Sequence, residues 1–291
     1  MTAIDVINGI VPGRKLHAVG YCLGGTILAI AAAAMDRDHD DRLASLSLLA
    51  AQTDFEEAGE LMLFIDESQL ALLEDIMHVQ GFLETRQMAG AFYVLRANEM
   101  IFAQFVERYL LGEPRAPSDL DAWLADPTRM PARMHSEYLR ELFLDNSFAH
   151  GKYLVDGRAV ALKDIKTSVF ALGAERDHIA PWRSVYNIEL YSSADTEFVL
   201  TGGGHNSSVV SPPGKAAAYY RVSTCDPSDK YVDPDAWLNS ASKKQGSWWP
   251  EWIRWLDAHS SSVRVTPSFR SNTDGDLPSY GPAPGTYVLQ T

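Results

Sequence analysis

Cysteine, positive charge and long apolar runs are all scarce in this sequence, and each shortage removes a class of function. The two cysteines, Cys22 and Cys225, stand alone with no CxxC pair and no clustered Cys/His spacing, which argues against zinc or a disulfide framework and fits a reducing cytoplasm. Lys and Arg number 25 against 38 Asp and Glu, a formal charge of −13, so no basic surface is offered to nucleic-acid phosphates. The longest apolar stretch, around residues 27–35, is far too short to span a bilayer, and the N-terminus lacks the basic-then-apolar layout of a secretion signal. What remains is ordinary globular material: 291 residues, 46% hydrophobic and 22% charged, long enough for one large domain or a domain with an insertion.

Along the chain, residues 3–10 read as a helix, Pro12-Gly13 as a turn, and 16–21 as a short apolar strand that runs into Gly20-Tyr21-Cys22-Leu23-Gly24-Gly25. An Ala/Ile-rich helix at 26–35, a charged loop at 36–42 and a second apolar run at 46–51 complete a strand-helix-strand unit of the kind that builds parallel sheets. From 53 to 150 the apolar residues recur at three- and four-residue spacings, which predicts an inserted helical cap over a core made of residues 1–52 and 151–291. Strand character returns at 168–173 and 197–201, with a helix starting near Pro181 between them. Trp248, Trp249, Trp252 and Trp255 share a helical face suited to core packing, and the Gly/Pro/Ser-rich residues 266–291 read as an extended surface chain. The fold class is therefore α/β, with a mostly parallel sheet and a helical insertion.

Gly-x-Cys-x-Gly between a strand and a helix is the nucleophile-elbow pattern with sulfur in place of the usual serine oxygen. Gly20 and Gly24 are expected to let backbones pass closely around the turn, and the helix N-terminus at Leu23 favours negative charge and offers its N–H as an oxyanion donor. A lone cytosolic cysteine is commonly just a small buried hydrophobe, so chain order supplies the second test. An acid should follow a later strand and a histidine the next one. Asp177 follows the strand at 168–173, and His205, behind Gly202-Gly203-Gly204, follows the strand at 197–201. Glu175 and His178 compete for the acid and base roles but fit the spacing less well. His17, His39, His78, His135, His150 and His259 have no partner spacing, and Cys225 has no flanking motif.

These residues resemble a known family. Gly20-Tyr21-Cys22-Leu23-Gly24-Gly25-Thr26 is similar to the lipase-like box of polyhydroxyalkanoate synthases. Asp177-His178-Ile179-Ala180-Pro181-Trp182-Arg183-Ser184 is similar to their acid-bearing segment, as is Gly204-His205 to their histidine loop. Ala122-Trp123, Asp126-Pro127-Thr128-Arg129-Met130-Pro131, Tyr138-Leu139-Arg140, Pro212-Pro213-Gly214-Lys215, Gly246-Ser247-Trp248-Trp249-Pro250 and Ala283-Pro284-Gly285-Thr286-Tyr287-Val288 extend the likeness over essentially the whole chain. The resemblance implies an α/β-hydrolase-type acyltransferase that polymerises (R)-3-hydroxyacyl groups from coenzyme A thioesters into a polyester, with coenzyme A released. Coenzyme A enters as part of the substrate, so no cofactor and no metal are implied. By resemblance Cys22 carries the growing chain, His205 is the general base, and Asp177 either orients His205 or helps to activate the substrate hydroxyl. A homodimer at the surface of a cytoplasmic polyester granule is also implied, and Arg183 is a candidate coenzyme A contact with a surface ion pair as its alternative.

Two rivals stay open at this stage: a thioesterase or polyester depolymerase of the same fold, and a non-catalytic fragment associated with granules. Relative to the family the chain begins inside the catalytic domain. The strands before residues 16–21 are then expected to be absent, leaving an uncovered sheet edge that invites a partner supplying them. One oxyanion donor would be missing with them, at a cost of about 10²–10³ in rate, so the chain alone is expected to be weak or inactive.

Overall fold

The computed structural model describes residues 1–84, 90, 98–103, 105–113, 118–125, 129–215 and 217–263. The expected extended tail at 266–291 and the motif residues 126–128 and 283–288 lie outside the described residues. Six strands form the main sheet: β1 (Leu16–Tyr21), β2 (Leu43–Leu49), β5 (Val169–Ala174), β6 (Thr196–Thr201), β7 (Tyr219–Cys225) and β8 (Lys243–Gln245), in that spatial order. The first four run parallel, while β7 and β8 add antiparallel at one side. Strands β3 (Tyr153–Val155) and β4 (Arg158–Val160) form a separate hairpin.

The parallel centre follows from composition. β5 is Val-Phe-Ala-Leu-Gly-Ala, buried at every position, the continuous apolar run that a strand covered on both faces requires. Its alternation divides the core: Val169 and Ala171 belong to the larger cluster on one face, Phe170 and Leu172 to the cluster on the other. Helix α2 (Leu23–Arg37) covers the first face, where Ala29, Ala32 and Ala33 have no exposed surface. These small residues let the helix lie close to β1 and β2, and alanine is also the best helix former. The tryptophan-rich helix, Trp249–Ala258, closes the opposite face, with Trp248 and Trp255 buried against Phe170.

Between 53 and 150 the described residues carry helical segments and no strand of the sheet. They comprise a 3-10 turn at Glu60–Phe64, helix α3 (Glu67–Gln80), π-type turns at Asn98–Ala103 and Val106–Leu110, the helices Asp119–Ala125 and Ala132–Tyr138, and a π-type turn at Leu139–Leu144. At the other extreme of the sheet, β1 pairs with β2 alone among the described residues, and Val19 on it is 50% exposed. Helix α1 (Thr2–Ile10) buries none of its residues.

Two differences from the sequence reading have simple causes. The second strand runs 43–49 rather than 46–51, because Ala50 turns to φ +47 and ends the pleat. Strands β7 and β8 carry few fully buried positions, so no apolar run announced them. Phe170 is 0% exposed and stacks on Trp248 and Trp255 with ring centroids 6.1 and 5.5 Å away. Phe170→Ala is expected to lower unfolding free energy by about 3–5 kcal/mol, read from the midpoint of urea denaturation at unchanged slope; a loss under about 1 kcal/mol would mean that this face is not a packed core.

Candidate active site

Cys22 sits between β1 and α2 with φ 51 and ψ −126, a left-handed backbone for a residue that has a side chain. Such a conformation costs on the order of 1–3 kcal/mol and persists only where the surroundings impose it. Here the surroundings are two glycines. A Cβ on Gly20 would lie 2.4 Å from Gly25 Cα, and one on Gly25 would lie 2.4 Å from Ala51 Cβ, so strand and helix cross without room for a side chain at either position. Gly24 differs from expectation: a Cβ there would meet nothing within 4 Å, so its place in the motif is not a steric need, and Gly25 takes the role assigned to it. Leu23 is the first residue of α2, which brings the positive end of the helix to the turn.

Asp177 follows β5 by three residues and lies in a tight turn. Its Oδ1 accepts the N–H groups of Ile179 and Ala180, each at 2.9 Å, and its Oδ2 lies 2.6 Å from Nδ1 of His205. No part of the Asp177 side chain is exposed. His205 opens the short helix His205–Val209 directly after the glycine run and is likewise buried. With Nδ1 engaged by Asp177, the remaining ring nitrogen is the one left for Cys22, whose side chain is near enough to affect the charge on the imidazole. Burial opposes charge on the imidazole, but the bond to Asp177 and the nearby Cys22 outweigh it and raise the pKa to about 9. Cys22 and the hydrogen-bonded His205–Asp177 pair thus meet at the C-terminal ends of β1, β5 and β6.

The competing residues are engaged elsewhere. Glu175 accepts from Tyr219 Oη at 2.6 Å and lies 3.9 Å from Arg221, facing β7. His17 bonds Ser45 Oγ at 2.6 Å and Ser260 Oγ at 3.0 Å. Burial, with Glu189, Asp229 and Asp226 nearby, pushes the Cys225 thiol up to about 11, the opposite of an activated nucleophile. Arg183 pairs with Asp235 and lies 4.8 Å over the Trp182 ring, which is the ion-pair alternative. Among the described residues no group of three or more His, Cys, Asp or Glu could hold a metal ion, and no helix is long and apolar enough to cross a membrane.

A cavity of about 30 Å³ opens beside the thiol, lined by Cys22, Leu23, Leu61, Tyr138, Phe143 and Ile179 among others, room for about one or two waters. Leu61, Tyr138 and Phe143 come from the 53–150 segment. Four residues around the site escaped the sequence reading. Tyr21 Oη donates to Asn206 Oδ1, and the indole N–H groups of Trp248 and Trp249 donate to the carbonyls of Ser208 (2.9 Å) and Val209 (3.0 Å) at the end of the His205 helix. The tryptophan stripe announced its burial, but nothing in the sequence announced these acceptors.

The chain is 38% identical over 288 residues to the poly(3-hydroxyalkanoate) polymerase subunit PhaC of Rhizobium etli, covering 99% of this chain and 44% of that protein. It is 40% identical over 287 residues to the poly(3-hydroxyalkanoate) polymerase of Methylorubrum extorquens, covering 99% and 46%. The chain therefore spans a little under half the length of these relatives. A monoacylglycerol lipase of Paleococcus ferrophilus aligns with 89% of this chain and 75% of its own at 13% identity and a TM-score of 0.43. A family model described as the alpha/beta hydrolase fold matches residues 4–212, and to that family the chain belongs.

Proposed function

We propose that this chain carries the acyl-transfer centre of a poly(3-hydroxyalkanoate) polymerase, with Cys22 as nucleophile, His205 as base and Asp177 as the residue that orients it. The observation that carries the reading is the thiol at a strained elbow, beside a buried, hydrogen-bonded His–Asp pair, in a chain 38–40% identical to polymerases of that name.

The chemistry balances as two transfers. In the neutral form of His205, the Cys22 sulfur attacks the carbonyl of a 3-hydroxyacyl-coenzyme A thioester as its proton passes to the imidazole; the oxyanion is met by the Leu23 N–H, and coenzyme A leaves with the proton returned. The acyl group is again a thioester and keeps its activation. A 3-hydroxyl then attacks it, His205 takes the hydroxyl proton, an ester bond forms and the Cys22 thiol is regenerated. Both Asp177 oxygens are already occupied, one by two backbone N–H groups and the other by His205, which favours the orienting role over direct contact with a substrate hydroxyl. The segment from 53 to 150 acts as a cap, its Leu61, Tyr138 and Phe143 keeping the space over the sulfur apolar and short of water.

The test is a time-resolved reaction with (R)-3-hydroxybutyryl-coenzyme A in excess over protein, following coenzyme A release, the mass of the Cys22 peptide and the product. A hydroxybutyryl adduct on Cys22 that passes into oligomeric ester is expected; free 3-hydroxybutyrate as sole product would make the chain a thioesterase and overturn the reading. Cys22→Ala should abolish the adduct. Cys22→Ser should leave little polymerisation, since an oxygen ester stores less activation for the next transfer.

The His205 pKa gives a further expectation. Asp177→Asn removes a contact that raises it, so the imidazole midpoint, near about 9 in the wild type, should fall when followed by NMR. The folded-state value lies above the ordinary 6.5, so the stability contributed by protonated His205 is fully present below pH 6.5 and is lost as pH rises through about 9. The melting-temperature gap between wild type and Asp177→Asn should therefore be wider at about pH 6 than at about pH 10. A gap that widens with pH would contradict the assignment.

A further inference from the structure

The pairing of Cys22 with His205 is flanked by a second link, between their neighbours in sequence. Tyr21, the last residue of β1, immediately precedes Cys22, and Asn206 immediately follows His205. Although 185 positions apart, the two are joined by the bond from Tyr21 Oη to Asn206 Oδ1. The Tyr21 ring also lies against the imidazole, centroids 5.2 Å apart and planes inclined by 33°, and on Trp123 of the helix Asp119–Ala125 at 6.3 Å. We propose that Tyr21 and Asn206 form a clasp that sets His205 against Cys22, which makes both of them positioning residues for the acyl transfer proposed above, on whose reading the kinetic part of this inference rests.

The need for a clasp follows from how unequally the two partners are held. Cys22 is fixed by the close crossing of Gly20 and Gly25, where no side chain fits. His205 instead begins a five-residue helix behind three glycines, whose bonds from Arg176 N–H to the Gly203 carbonyl (2.9 Å) and from Gly202 N–H to the Tyr219 carbonyl (3.2 Å) hold the backbone of the loop but not the imidazole. Asp177 grips the imidazole at Nδ1 alone, and a ring held at one atom can still pivot about that bond. Trp248 and Trp249 secure only the far end of the helix, at Ser208 and Val209. The first turn, which carries His205, receives its tie to the nucleophile strand from Asn206. Burial, with Cys22 and Asp177 nearby, pushes the Tyr21 phenol well above its ordinary range, so the hydroxyl remains a donor wherever His205 titrates. A tyrosine that merely filled space would need its ring and not its hydroxyl.

That distinction sets the experiment. Tyr21→Phe, Asn206→Ala, their double variant and Asn206→Asp, which keeps an acceptor oxygen, are made in the full chain. Three quantities are read: the His205 titration midpoint by NMR, the pH dependence of Cys22 alkylation by iodoacetamide with the Cys225 peptide as internal reference, and single-turnover acylation of Cys22 across a range of (R)-3-hydroxybutyryl-coenzyme A concentrations. Tyr21→Phe and Asn206→Ala should each lower the His205 midpoint, because the contact with Cys22 that helps to raise it is weakened, and shift the alkylation profile with it. Each should slow acylation at saturating thioester about 10²-fold with the half-saturating concentration unchanged. The double variant should be no worse than either single one, and Asn206→Asp should recover the acylation that Asn206→Ala loses. A Tyr21→Phe protein that titrates and alkylates like wild type overturns the clasp, as does a double variant whose loss is the product of the two single losses. If the wild-type thiol alkylates but accepts no acyl group, the substrate assignment fails, while the titration and alkylation still decide the clasp.

Discussion

Gly20 and Gly25 approach so closely that a Cβ on the first would lie 2.4 Å from the Cα of the second, and the geometry of the site depends on that contact. It lets α2 begin one residue after Cys22 while lying against β1 and β2, so the chain reverses in a turn that only a positive φ at Cys22 can complete. The turn does not relax because it is held from both sides: the Cys22 N–H donates to Leu49 across the β1–β2 ladder, and Ala51 sits under Gly25. Strain in the Cys22 backbone is thus balanced by that bond together with the packing of its neighbours. The same crossing lifts the sulfur to the strand ends where the loops after β5 and β6 converge.

The two cysteines have opposite surroundings, Cys22 beside a buried His–Asp pair and Cys225 among carboxylates. A carboxylate as buried as Asp177 is tolerable only when its oxygens are matched by donors, and two backbone N–H groups and an imidazole supply them. Its charge then serves the imidazole, overcoming the burial that opposes a cation there. Cys225 lies among carboxylates with no cationic partner described, and its thiol is held in the neutral form up to about 11. Two cysteines in one chain thus part company through their neighbours alone, which is why residue type was a poorer guide at Cys225 than the absence of a motif around it.

Much of the site was legible because its signals are local. An apolar run marks β1 before Cys22, β5 before Asp177 and β6 before His205, glycines flank Cys22 and precede His205, and chain order aligned the three. The register of the tryptophan stripe likewise announced a buried helix. What escaped depends on distance or on compensation. Gly24 stood in the place of Gly25 because a sequence does not say which of two adjacent glycines faces the strand. Strand β7 was invisible because Arg221, Ser223 and Thr224 break its apolar alternation, their polarity met by Ala241 for Arg221 and by Trp237 for Ser223. The Tyr21–Asn206 bond joins residues that no local pattern relates.

On the proposed reading, the catalytic line by itself does not choose between making an ester and hydrolysing a thioester. Cys22, His205 and Asp177 would activate a water and a 3-hydroxyl by the same proton transfer, and the thioester on Cys22 is equally electrophilic toward both. The choice is made by what surrounds the sulfur. Leu61, Tyr138, Phe143 and Ile179 present few groups that could hold a water in line for attack, and the space they leave admits about one or two waters. A 3-hydroxyl arrives attached to an acyl chain that can displace those waters and bury its own carbon atoms against the same side chains, whereas a water gains nothing from them. Selectivity for polymerisation then belongs to the apolar contribution of the 53–150 segment, and activation to the sheet, so the two can vary independently on one fold.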